Sequence, residues 1–346
     1  MTAAADIGSG RRRGAVTAAM AALCLILFPL TLFFGSVDIP FADVLAALFG
    51  GDVGRESWRV IVLETRVPAA CTAALAGAAL SVAGLLMQTT FDNPLAGPSI
   101  LGVSTGASLG VAVVMLAMGG ALGFAGRSAV LGGALVGAMG VMAVLVVMSS
   151  LVRSSAMLLI VGILVGYLSS SAISLLNFFA TQEGVHSYVI WGMGNFYAVS
   201  MAELPLFAGL CLGLMALSML FVKPLNALLL GQSYAENLGV RTVRVRNRLL
   251  LLSGALTAAV TAWCGPIGFV GLVVPHLARL ALGTSNHESL LPATMLAGAA
   301  TGLLCALICV LPAGAGVIPV NAVTPIIGVP VIIYIILNRR NIFYFN

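Results

Sequence analysis

The sequence predicts an all-α membrane protein of about ten transmembrane helices in a compact bundle, with the N- and C-termini cytoplasmic. Three observations point there. Of 346 residues, 60% are hydrophobic and 8% charged, and the mean hydropathy is +1.12, whereas an ordinary soluble domain has about 25% charged residues. The charged residues are separated by long apolar gaps, and a helix needs about 20 apolar residues to cross a bilayer. Lys and Arg are also divided unequally between alternate loops. The 40 glycines and 14 prolines belong to helix packing and bending, because so apolar a chain does not stay disordered. The net charge of +5 reads as a topology signal and not as affinity for nucleic acid, since the basic residues are scattered between apolar runs. All six cysteines sit inside such runs, which argues against a disulfide framework or a zinc cluster.

The spans follow in order. Residues 1–14 read as a disordered cytoplasmic tail ahead of a single membrane domain, 15–346. The first span, 15–35, follows Arg11, Arg12 and Arg13, and it lacks the small-residue cleavage site of a signal peptide. The second covers 67–90, and the third covers 95–116 after an Asn93-Pro94 turn. Spans four to six cover 128–152, 154–180 and 204–222. A seventh, 249–263, breaks at Gly265-Pro266, and an eighth covers 268–282. The charge-free stretch 289–338 holds two more, with a turn near 312–319. Two outer interfacial pieces are expected: amphipathic 41–49, and 188–199 with Trp191, Phe196 and Tyr197.

With the N-terminus inside, Arg11, Arg12, Arg13, Arg153, Lys223, Arg241, Arg244, Arg246, Arg248, Arg279, Arg339 and Arg340 share the inner side. Only Arg55, Arg59, Arg66 and Arg127 lie outside, a division of 12 against 4 that satisfies the positive-inside rule.

The interior of the spans bears on mechanism. Ion-coupled carriers keep ionisable residues within the membrane, but no span here holds Asp, Glu, Lys or Arg away from its ends. His276 lies near an inner end and reads as a packing histidine. The energy source is therefore expected outside this chain. A stand-alone secondary carrier or channel is the alternative. An enzyme is disfavoured, because no paired carboxylates, nucleophile set or metal-spaced cluster is present. Cys305 and Cys309 share a helix face, but two thiols alone make a poor metal site. Gly102, Gly106 and Gly110, Gly133 and Gly137, Gly162 and Gly166, and Gly298 and Gly302 recur every fourth residue, a spacing that lets helix backbones approach.

The only sizeable inner loop is 223–248. Its Ser233-x-x-Glu236 reads as a capping box and Gly239 as a left-handed helix stop. The resulting helix would carry Tyr234 and Leu238 on one face and is too short to be stable without a partner surface. Arg241, Arg244, Arg246 and Arg248 follow, suited to lipid phosphates or a partner's carboxylates. The plainer reading is a loop that only sets topology.

Several stretches in order resemble one family. They are Arg66-Val67-Pro68, Gln88 with Asn93-Pro94-Leu95-Ala96-Gly97-Pro98, and Leu101-Gly102-Val103-Ser104-Thr105-Gly106-Ala107-Ser108. Further along come Gly231 to Val240, Gly265-Pro266-Ile267-Gly268-Phe269-Val270-Gly271-Leu272, Pro275-His276-Leu277-Ala278-Arg279 and the segment 319–330. Together they resemble the FecCD-type permeases of type II ABC importers for iron-siderophores, haem and cobalamin. The resemblance implies a multi-pass permease of the bacterial cytoplasmic (inner) membrane that is not itself an enzyme. Two copies would pair and move a large metal chelate by alternating access along their interface, iron-siderophore ranking first and haem or cobalamin next. Two cytoplasmic ABC ATPases, using ATP and magnesium, would dock on Ser233, Tyr234, Ala235, Glu236, Asn237, Leu238, Gly239 and Val240. An extracytoplasmic binding protein would meet Arg55, Arg59 and Arg66, although Arg66 also suits an anchor for span two. Span five would line the route through Ser170, Ser171, Ser174, Asn177 and Phe178, although such serines equally bond within their own helix. The chain itself is expected to bind no cofactor, and no G-x-x-x-x-G-K-[ST] phosphate loop occurs in it.

Overall fold

The computed structural model describes residues 2–117, 123–152, 154–311 and 316–337, and all regular structure among them is helical. The first helix, α1 (Thr2–Phe33), begins thirteen residues before the expected span at Ala15. The predicted tail is thus helical; its alanines at 3–5 have the highest helix propensity of any residue. The interfacial helix α2 (Phe41–Phe49) has the bounds its amphipathic pattern predicts, and it ends at Gly50 with φ +78°. Its buried Val44 and Ala47 pack on Ile39 and Val62, and Phe41 stacks on Phe33 at 4.2 Å.

From α3 (Glu56–Val60) the chain passes through a π-helical turn, Ile61–Arg66, into α4 (Val67–Thr90). This helix is buried almost from end to end and forms the axis of the bundle. An all-round apolar helix belongs in such a position. Next come α5 (Val103–Ala112), extended by a π-helical turn to Ala117, and α6 (Gly123–Leu151). The third predicted span began at Leu95, but 95–102 is turn structure. Pro94 precedes that stretch and Pro98 lies within it, and each removes an N–H and disfavours helix in the residue before it.

Beyond these lie α7 (Ser155–Phe179), capped by the Ser154 hydroxyl, and α8 (Gln182–Gly192), capped by Thr181. A single 3₁₀ turn, Phe196–Ala198, completes the second outer piece. Helices α9 (Leu204–Met219) and α10 (Val222–Leu228) meet at 56°. They are followed by α11 (Gln232–Asn237), α12 (Thr242–Cys264), α13 (Val270–Leu282), α14 (His287–Val310) and α15 (Val320–Leu337). Loop 223–248 is thereby corrected: α10, α11 and the start of α12 make most of it helical. Part of the predicted turn at 312–319, with Arg153, Arg339 and Arg340, falls outside the described residues.

Five of these helices are long and apolar enough to cross a membrane, six if α9 and α10 count as one bent span, and α5, α13 and α15 are shorter apolar helices. The glycine spacing works as expected. A Cβ on Gly110 would fall on the Gly133 carbonyl, one on Gly137 on the Gly106 carbonyl, and one on Gly77 on the Gly298 carbonyl. At these crossings backbone meets backbone, which strengthens dispersion contacts where lipid removes any hydrophobic drive. Of the cysteines, Cys211, Cys264, Cys305 and Cys309 are buried, and all six are free thiols.

Candidate functional site

Three regions gather the polar and exposed groups of the chain. The first is a cleft of 610 Å³ between α5, α7, α8, the 265–269 break and α15. Hydroxyls dominate its lining: Ser99, Ser104, Thr105, Ser108, Ser170, Ser174 and Tyr188. Ser108 donates to the Ser104 carbonyl at 2.9 Å and Ser174 to the Ser170 carbonyl at 3.0 Å. Such back-bonding satisfies each hydroxyl proton and leaves oxygen lone pairs for water or a passing solute. The break between α12 and α13 forms one wall. There Asn321 donates to the Pro266 carbonyl at 2.6 Å and the Gly192 carbonyl at 3.2 Å, and accepts from the Gly268 N–H at 3.1 Å. This one amide serves backbone groups that the interrupted helices leave open. Phe269, also on the wall, holds φ +66°, a region costly for a bulky residue.

Of the route residues expected on α7, Ser170 and Ser174 enter this cleft and Ser171, Asn177 and Phe178 do not. Phe178 is 80% exposed and meets Phe179 edge-on at 5.1 Å, on a face shared with exposed Leu164, Leu168 and Leu175. Ser104, Ser108 and Asn321 stood within segments that carried the resemblance and Tyr188 at the start of the expected outer piece 188–199, but nothing in the sequence brought Tyr188 and Asn321 to this cleft.

The second region is the inner surface around α11. Gly231 and Gly239, at φ +95° and +82°, bracket this six-residue helix. Ala235 is fully buried, whereas Tyr234 is 54% and Leu238 59% exposed. The expected capping box does not form. The helix takes Gly231 as its N-cap with no side-chain bond, and the Glu236 carboxylate instead accepts from the Thr242 hydroxyl at 2.6 Å. Glu236 thus ties α11 forward to α12. Gln232 donates to the Ser155 hydroxyl at 2.9 Å and ties it to the start of α7.

The four arginines that follow are not equivalent. Arg246 is buried and donates to the Ser149 hydroxyl at 2.9 Å and to the carbonyls of Ser149 and Val152 at 2.6 and 3.0 Å. It closes the carbonyl end of α6, as a cation at a helix C-terminus does. Arg241, Arg244 and Arg248 remain exposed. Nearby, Asn226 of α10 accepts from the His287 N–H at 2.8 Å and donates to Asn286 at 2.9 Å. His287 also meets Thr89 at 2.9 Å, so the α10–α11 unit is pinned to α14 and α4. A neighbouring buried set joins Arg279 to Gln88 at 2.9 Å, Gln88 to the Leu272 carbonyl at 3.0 Å and His276 to the Pro94 carbonyl at 2.8 Å. These bonds agree with a packing role for His276.

The third region is the opposite rim. Arg66 is removed from the docking set: it is 3% exposed, and its guanidinium donates to the carbonyls of Leu32, Phe33 and Val37 at 2.8, 2.9 and 2.5 Å. The π-helical turn ends on Arg66, and α1 ends where those carbonyls need partners. Arg55 stays exposed over the Trp58 ring at 5.3 Å, and Arg59 donates to the Gly51 carbonyl at 2.7 Å.

Arg127 grips Glu203 bidentately at 2.7 and 2.6 Å and also donates to the Ala198 carbonyl. Partial burial raises the Glu203 carboxyl, but hydrogen bonds and charge from Arg127, with Ser200, outweigh it and hold the group below its usual range. A depressed carboxylate stabilises the fold above its unfolded pKa, and that contribution fades as pH falls through the lower folded value. Thermal stability is therefore expected to drop below about pH 4.3, the usual glutamate value. Because the pair is half exposed, its share is about 0–1 kcal/mol. Glu203→Gln should remove that share of the acid dependence in a melting series, and an unchanged pH profile would count against the assignment.

Comparison with known proteins places this architecture. Residues 23–338 match the model of the FecCD transport family. The vitamin B12 import system permease protein BtuC of Citrobacter koseri is 34% identical over 294 residues, covering 84% of this chain and 87% of that protein. Its counterpart from Klebsiella pneumoniae is 33% identical over 319 residues, covering 92% of each. A solved structure, described as an inward-facing conformation of an ABC transporter assigned to the metal-chelate type, aligns with a TM-score of 0.82 at 28% identity, over 94% of this chain and 99% of that one. With its motifs in order, its buried α4 axis and a family match running nearly end to end, the chain belongs to the FecCD transport family, whose members are membrane permeases rather than enzymes.

Proposed function

We propose that this chain is the membrane permease of an ATP-driven importer that carries a large metal chelate across the bacterial inner membrane. The observation that carries the proposal is the inner helix α11. It is anchored from below by buried Ala235 and presents Tyr234 and Leu238 to the outside on a segment too short to stand alone. In this reading the ATPase meets Ser233 to Val240, and the side-chain bonds from Gln232, Glu236 and Asn226 pass its motion to α7, α12, α14 and α4. ATP and magnesium act on that ATPase.

The membrane topology proposed is ten crossings, α1, α4 to α7, α9 with α10, and α12 to α15, with both termini cytoplasmic. The division of 12 inner against 4 outer basic residues supports it. Two copies meet along the exposed apolar face of α7, and the hydroxyl-lined cleft belongs to the route between them. Arg55 and Arg59 are the rim cations offered to a binding protein, where charge pairing sets orientation and association rate.

For the cargo, the relatives from Citrobacter koseri and Klebsiella pneumoniae are vitamin B12 import permeases. This puts cobalamin first among the chelates to assay and moves it ahead of iron-siderophore, which the motifs alone ranked higher. The test is uptake into vesicles containing this chain with its ATPase and binding protein, using labelled cobalamin and a ferric siderophore in parallel. ATP-dependent uptake of one chelate is expected, with none under an ion gradient when the ATPase is omitted. Gradient-driven uptake by the chain alone would replace this reading with that of a secondary carrier.

A further inference from the structure

At the 56° bend between α9 and α10 lies a groove of 630 Å³, closed on its other side by α12. One wall carries Leu217, Leu220 and Phe221, and the other carries Val245, Leu251 and Ala255, with Arg248 between Val245 and Leu251, near the basic end of the α12 wall. Arg248 precedes Ala255 by seven residues, about 10 Å of helical rise. The apolar wall therefore runs about that far from the guanidinium towards the middle of the membrane. Lys223, exposed in the first turn of α10, adds a second cation beside Pro224 of the same wall.

No carboxylate lines this groove. The ion pairs among the described residues are Arg59–Glu56 and Arg127–Glu203, so neither Arg248 nor Lys223 is neutralised by the protein. A greasy slot within the span, with Arg248 near its basic end, matches one occupant: an acyl chain joined to an anionic phosphate. Basic sites between transmembrane helices favour such head groups. A protein segment would reach the slot only by entering the hydrocarbon, where its backbone polar groups would lack partners.

We propose that this groove binds an anionic phospholipid of the inner leaflet, with its phosphate at Arg248 and a tail along the leucines. The inference rests on the membrane orientation given above. A lipid seated there braces α10, which leads directly into α11, so lipid composition becomes an input to ATPase coupling.

Native mass spectrometry of the full chain in non-ionic detergent tests this, with phosphatidylglycerol and phosphatidylcholine of the same acyl chains added separately. Retention of phosphatidylglycerol is expected to exceed that of phosphatidylcholine about fivefold, the effect of roughly one cation at an anionic surface. Arg248→Gln should abolish the preference, and Arg244→Gln, an exposed arginine of the same helix outside the groove, should leave it intact. Both side chains are exposed, and matching melting temperatures would confirm that the variants fold. Equal retention of the two lipids by the wild type, or a preference that survives Arg248→Gln, overturns the proposal. So does inorganic phosphate displacing the lipid, which would mean that the tail contributes nothing. The readout is lipid retention and not uptake, so failure here leaves the permease reading standing, and failed ATP-driven uptake with lipid still bound strikes that reading alone.

Discussion

Replacing Tyr234 and Leu238 together by alanine is expected to lower ATP-driven uptake at least tenfold while leaving the chain folded. Both side chains point outward from α11, at 54% and 59% exposure, so truncation opens no cavity and should shift the melting temperature little. Ala235 and the backbone bonds Ala235 N–H to Gly231 and Val240 N–H to Ala235 hold the helix in place without them. At a docking surface the cost is different. Aromatic anchors at the centre of an interface are worth about 2 kcal/mol or more each, and every 1.4 kcal/mol is tenfold in affinity. The loss should therefore appear in ATPase binding and in uptake per ATP hydrolysed. Unaltered uptake and ATPase coupling in the double variant would remove α11 as the docking element and return 223–248 to a loop that sets topology. Thr242→Val probes the transmission step behind it. It deletes the hydroxyl that donates to Glu236 at 2.6 Å and is expected to reduce coupling by less than the double variant, with ATPase binding retained.

Gly84→Val should produce the largest loss of stability, measured as a fall in monodisperse protein and in melting temperature. A Cβ at Gly84 would fall on the backbone of Gly271, and one at Gly271 on the Leu80 carbonyl, so α4 and α13 have no side chain to move aside. The helices must separate. Overpacking costs about 1–3 kcal/mol and occasionally more, a large share of the 5–15 kcal/mol that holds a typical protein together. Gly132→Val is the control, since nothing lies within 4 Å of a Cβ there. Its effect should be small, limited to the helix propensities of the two residues, where valine is the better former. Equal stability of Gly84→Val and wild type would mean that the α4–α13 crossing is looser than its geometry requires.

How much of this was legible beforehand depends on the range of the interaction involved. The bounds of α2, the left-handed Gly239 and the glycine pairs of α5 with α6 were readable from spacing within a turn or two, whereas the helix expected to start at Val67 runs continuously from Glu56. The errors arose where a side chain had a choice of partners. Ser233 and Glu236 have the spacing of a capping box, yet Thr242 offers the carboxylate a hydroxyl at 2.6 Å and the box is not made. Arg66 and Arg246 look like surface cations in a string of letters. Both are drawn inward because helix ends of α1 and α6 leave carbonyls nearby that water does not reach. Pro94 and Pro98 both oppose helix, and the third span was drawn too early because a charge-free gap does not register a proline.

Membrane residence and the approximate positions of the long apolar helices followed from composition and order along the chain. Lipid makes those properties local, because every apolar run must satisfy its own backbone hydrogen bonds as a helix. The hydroxyl-lined cleft, the Asn321 clamp on the broken helix and the division of the arginines into buried ties and exposed cations existed only once distant segments met. Each depends on which donor comes within about 3 Å of which acceptor, and that distance is decided by helix packing, not by spacing in the sequence.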